Sequence, residues 1–96
     1  MGQSEAMGRL WMTWSIDGVG SAGQNVADVE AACRALVGSV ERSRRAFDTP
    51  EPWEELRAAA LLLQDRILGS GRETLDQGRR WASTLSGLSI LLIPRE

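Results

Sequence analysis

Thr49-Pro50-Glu51-Pro52-Trp53-Glu54-Glu55-Leu56 interrupts one apolar pattern and starts another. Upstream, Val26, Val29, Cys33, Leu36, Val40, Ser43 and Phe47 advance by alternating steps of three and four. Downstream, Trp53, Leu56, Ala60, Leu63 and Ile67 repeat that rhythm. Such spacing places each series along one stripe of a helix. Two amphipathic helices folded back on each other are therefore expected, from about Val26 to Phe47 and from Pro50 to Leu68. Thr49 suits an N-cap, Pro50 the first helical position, and Glu51, Glu54 and Glu55 the positive helix end.

Outward toward the C-terminus, Gly69 suits the end of the second helix, and Ser70 with Glu73 has the capping-box spacing that would begin a third. Leu75, Trp81, Ala82, Leu85 and Leu88 would face its core, with Gly78 and Gly87 weakening it. Ile90 to Ile93 is β-like in composition, but continuation of the helix to Pro94 is the expectation. Glu30 with Arg34 and Glu41 with Arg45 have the i,i+4 spacing of intrahelical ion pairs.

Toward the N-terminus, Asp17 to Asn25 is punctuated by Gly18, Gly20 and Gly23 and reads as a loop. Ahead of it, Leu10, Met12, Trp14 and Ile16 alternate with Trp11, Thr13 and Ser15. Period two suggests a short half-buried strand. An isolated strand needs partners, and only Ser89 to Ile93 is suited to pair with it. The expectation is an extended apolar arm. Met1 to Gly8 is polar and small and reads as a frayed end.

The expected fold is thus all-α: a small antiparallel helical hairpin or three-helix bundle with a short extended N-terminal arm. Residues 1–25 would form the flexible arm and Gly-rich loop, and residues 26–96 the helical domain. At 96 residues the core is modest, and stabilisation by a second copy or a partner is consistent with that size.

Composition narrows the chemistry. All eleven basic residues are Arg, His and Tyr are absent, and net charge is −2. Without imidazole, no side chain titrates unperturbed near neutrality, so an enzyme is not expected. The single Cys33 lies on the first seam, where a buried inert thiol is usual. Structural zinc needs about four Cys or His ligands and is excluded by count. The apolar runs Ala58 to Leu63 and Ile90 to Ile93 are too short for a membrane span. No signal-peptide core is recognised in Leu10 to Ile16, and a cytoplasmic protein is expected, export without a cleaved signal remaining open.

Two motifs offer alternatives. Gly18, Gly20 and Gly23 match G-x-G-x-x-G between a strand-like stretch and a helix, the place of a dinucleotide loop. The acidic strand that should come about 20 residues on is missing, so no cofactor is expected. The Thr49–Pro52 turn, with Arg42, Arg44 and Arg45 before it, suggests a helix-turn-helix DNA-binding regulator. Glu51, Glu54 and Glu55 would then meet phosphates, so nucleic acid is an unfavoured partner.

The leading functional expectation is a non-catalytic helical protein-protein interaction module, a coiled-coil-like adaptor that self-associates or docks on a partner protein. Its contact residues would be Trp11, Trp14, Leu10 and Met12, because two tryptophans an odd number apart on an extended arm cannot both be buried by one surface. A hairpin of this length with Trp53 near its turn superficially resembles the small W-x-G secreted proteins of Gram-positive bacteria, although Trp53-Glu54-Glu55 lacks the glycine. The Pro50-Glu51-Pro52 turn likewise resembles that of type III secretion needle subunits, which carry Pro-x-x-Pro. Each likeness covers one turn. A secretion or phage accessory protein would fit such a module, and the sequence does not select among settings.

Overall fold

A computed structural model describes residues 10–95, in the order β1 (Leu10–Ile16), β2 (Gly20–Val26), α1 (Val29–Arg42), α2 (Pro50–Arg66), α3 (Arg72–Asp76), β3 (Trp81–Leu85) and β4 (Leu88–Pro94). The four strands form one antiparallel sheet in the order β2-β1-β4-β3. The helices cross one face of it. This is a two-layer α/β domain, which corrects the expected all-α hairpin or three-helix bundle.

The strands arise where period-two apolar spacing finds a partner. Leu10, Met12 and Ile16 of β1 pair with Pro94, Leu92 and Leu88 of β4, so two apolar rows from opposite ends of the described chain meet at the sheet's centre. Met12, Leu88 and Leu92 are fully buried there, each such side chain contributing about 1.5–3 kcal/mol relative to exposure. The stretch expected to be a loose arm is a central strand. The Asp17–Val19 turn, with Gly18 at φ +76°, folds β2 back beside it.

Asp28 caps α1: its side chain accepts a hydrogen bond from the Ala31 N–H at 2.8 Å. Val29, Ala32, Cys33, Leu36 and Val40 are buried along the expected stripe. A tight turn, Ser43–Ala46, ends the helix, and α2 restarts at Pro50 with Thr49 at its N-cap. Trp53, Leu56, Ala60, Leu63 and Ile67 are all buried, as their spacing requires. The helices run antiparallel. The Trp53 indole N–H donates to the Val40 carbonyl at 2.9 Å, Arg57 to Glu41 at 2.9 Å, and the Cys33 thiol to the Gln64 carbonyl at 3.8 Å.

Two local expectations change. Glu30 and Glu41 find Arg72 and Arg57 on the opposing helical segments instead of the arginines one turn along their own helix. At Gly69 the helix does not end. It widens into a five-residue π turn, Ile67–Gly71, and continues as α3 without a Ser70 cap. The Ser70 hydroxyl donates back to the Arg66 carbonyl instead. The helix stops after Asp76, where Gly78 adopts φ +79°.

Residues 81–94 form a β-hairpin in place of the expected third core helix. Ser86 and Gly87, at φ +54° and +79°, make the two-residue loop between β3 and β4. Positive φ at both positions is the requirement of a type I′ hairpin turn. Leu88, Ile90 and Leu92 therefore point to the helices together. They cannot lie on a helical stripe with Leu75 and Trp81. The descriptions helical bundle and coiled coil do not apply to this chain.

Candidate functional site

Because the helices lie on one face of the sheet, alternation divides its side chains. Leu10, Met12, Ile16, Leu88, Ile90 and Leu92 point to the helices and are buried. The other face carries three rows read from the strand register. Asn25, Trp11 and Ile93 form the first, Gly23, Thr13, Leu91 and Ala82 the second, and Ser21, Ser15, Ser89 and Thr84 the third. No described element covers this face.

Its chemistry is uncommon for an exposed surface: none of these eleven residues is charged. The first row is large and apolar at its centre, and the third is all small hydroxyl residues. Thr84 and Ser89 hydroxyls lie 3.0 Å apart across the strands. The Trp11 ring extends over β2, where a Cβ added to Gly23 would lie 2.6 Å from the ring. A larger residue there would displace the indole, and the indole shields the strand that glycine weakens. Arg95 sits 5.8 Å from the Trp11 ring centroid, a cation–π contact at the border of the face.

Of the four residues expected to contact a partner, only Trp11 lies on this open face. Leu10 and Met12 are in the core, at 7% and 0% exposure. Trp14 is half-buried on the helix side, packed against the core cluster. Thr13, Leu91 and Ile93, which lie beside Trp11 on the face, were not among them. Their signal was present in the alternation of residues 10–16 and 88–93, which implies a second face once both are strands.

The remaining chemistry is sparse. Cys33 lies in a groove between α1 and α2 beside Glu30, Arg34, Gly38 and Gln64. Burial, with Glu30's charge adding to it, pushes its thiol up to about 11. A thiolate nucleophile needs the opposite shift. Among the described residues no three His, Cys, Asp or Glu side chains converge as metal ligands.

The glycine motif is not a dinucleotide loop. Gly18 makes a hairpin turn, while Gly20 and Gly23 lie within β2, away from the start of α1 at Val29. These glycines therefore do not form the strand-to-helix phosphate loop that their spacing suggests. The Thr49–Pro52 turn likewise joins an antiparallel helical hairpin, not the crossed helix pair of a helix-turn-helix. α1 and α2 are a hairpin whose apolar stripes are spent on each other and on the sheet. Arg44 lies over the Trp53 ring at 5.2 Å, and Arg42 reaches the Ser39 hydroxyl at 3.4 Å. The helical interaction module is overturned by the same packing, because the seams that would dock are the inner surface of an α/β domain.

Outside the open face, the exposed large apolar side chains among the described residues are Val19, Leu61 and Leu62. No helix among the described residues is long and apolar enough to cross a membrane. Compared with protein-family models, curated proteins and solved structures, the chain has no match.

Proposed function

We propose that this α/β domain works by contact with protein rather than by catalysis, and that its working surface is the uncovered face of the sheet. The observation that carries this reading is the uncharged face itself, with Trp11, Leu91 and Ile93 on adjoining strands. Solvated sheet faces normally alternate apolar-in with polar and charged-out. A face without charge, bearing a tryptophan, has the composition of an interface centre, where charged residues are depleted and aromatics enriched. Contact through this face leaves the helices as the support that holds the strands.

The absence of His from the sequence and the raised pKa of Cys33 favour a non-enzymatic role, since neither a neutral-pH base nor an activated thiol is at hand. We assign it to the cytoplasm, where a free thiol such as Cys33 persists reduced.

The test uses a photo-crosslinking amino acid at Thr13, in the middle row, with Leu62 on the helical surface as the comparison site. Capture of a discrete protein product from Thr13, lost in Ser15→Glu, is expected. Products only from Leu62, or from Thr13 regardless of Ser15→Glu, would move the contact surface elsewhere.

A further inference from the structure

We infer that the occupant of the open face is a second copy of this chain, packed sheet to sheet about a two-fold axis that runs across the strands through the row of Thr13 and Leu91. This rests on the open face being a contact surface. Three features of that face carry it.

The first is charge. In a two-fold contact every residue of the face meets the same face of its partner, so any net charge there repels itself. The three rows contain no charged side chain, and Arg95 lies at their border. The contact is free of that penalty.

The second is shape. On the two central strands residue size falls from Trp11 and Ile93, through Thr13 and Leu91, to Ser15 and Ser89. Two such surfaces fit when large meets small, so that the layers interdigitate. An axis across the strands at the middle row achieves this on both central strands: Trp11 meets the partner's Ser15, and Ile93 meets the partner's Ser89. An axis along the strands instead opposes Trp11 to the partner's Ile93 and hydroxyls to hydroxyls, leaving a wedge open at one end. The size gradient selects the first.

The third is area. Four strands of up to seven residues, at about 4.8 Å spacing and 3.3 Å rise, cover about 440 Å² in projection. Two copies then remove on the order of 1,000 Å² from water, the lower end of what a specific contact needs. A reversible dimer of micromolar affinity is the expectation, not an obligate one.

Sedimentation equilibrium of the full chain at up to about 100 μM tests this. A monomer–dimer equilibrium is expected, weakened about tenfold or more by Ser15→Glu and by Ile93→Glu. Circular dichroism of each variant should match the parent, since both side chains lie on the open face. Mixing Ile93→Glu with Ser89→Arg should restore the dimer, because the axis across the strands brings these positions together. Restoration by Trp11→Arg in place of Ser89→Arg would overturn the orientation. A parent chain that stays monomeric would overturn the second copy, as would a dimer indifferent to both face variants. Dimerisation appearing only after removal of residues 1–9 would make that segment the occupant and also overturn it. If the chain is monomeric while the Thr13 crosslinker still captures a different protein, the contact face stands and only the identity of its occupant falls.

Discussion

Leu63 and Cys33 show how much a single position along an apolar stripe can reveal. Leu63 is fully buried at the centre of the α2 seam, in contact with a core shared by both layers. Leu63→Ala should cost about 2–5 kcal/mol in chemical denaturation, the spread depending on how far the site collapses. A loss near zero would mean that the seam does not carry the core. Cys33 has a different signature. Its folded thiol is raised to about 11 from an ordinary 9.0, so the neutral form is favoured by folding. That contribution is complete below pH 9.0 and is lost as pH rises from 9.0 toward 11. Native protein at pH 8 should label slowly with a thiol reagent and rapidly in denaturant. Rapid native labelling would contradict the burial.

At the scale of elements, Ser86-Gly87 decides more than its two residues suggest. Both have positive φ, which serine tolerates poorly and asparagine better. Ser86→Asn should therefore raise stability by about 0.5 kcal/mol, read as a higher melting temperature with an unchanged spectrum. A fall would mean that the serine makes a contact its φ does not reveal. The dipeptide was a turn signal in the sequence. It was masked because Leu75, Trp81, Leu85 and Leu88 also fit a helical stripe, and a short apolar run satisfies both periods. β1 was legible as period two, and Ser89 to Ile93 as its one candidate partner, but a helix continuing to Pro94 was the expectation for that partner. The Glu30 and Glu41 pairings illustrate the same limit, since their spacing suits an intrahelical arginine while the folded helices present Arg72 and Arg57. Through its hydrogen bond, Arg72 holds the Glu30 carboxyl below its usual range.

At the scale of the molecule, the two hairpins meet through β1 and β4, with the helical segment between them in sequence. The Asp17 N–H donates to the Gly87 carbonyl at 3.0 Å, joining the two hairpin turns directly. Neither hairpin is stable alone in water, and the helices lack a floor without the sheet. A chain ending at Gly87 should therefore lose cooperative melting altogether, helices included. Retention of a sigmoidal helical transition would show that α1 and α2 fold independently of the sheet.

The sequence by itself determined the two helices, the break between them, and the burial of Cys33, Leu36, Trp53 and Leu63, because a helical stripe is a local property set by neighbours three and four residues away. It also carried the alternation that makes residues 10–16 a strand. Only the tertiary structure decided that this strand is central, that residues 81–94 are its β-partner hairpin, and that Trp11, Thr13, Leu91 and Ile93 share an open face. Strand pairing joins residues from opposite ends of the chain, and its hydrogen bonds run to a neighbour that local spacing does not name. The side of the sheet left uncovered depends in turn on where the helices pack, which no single segment encodes.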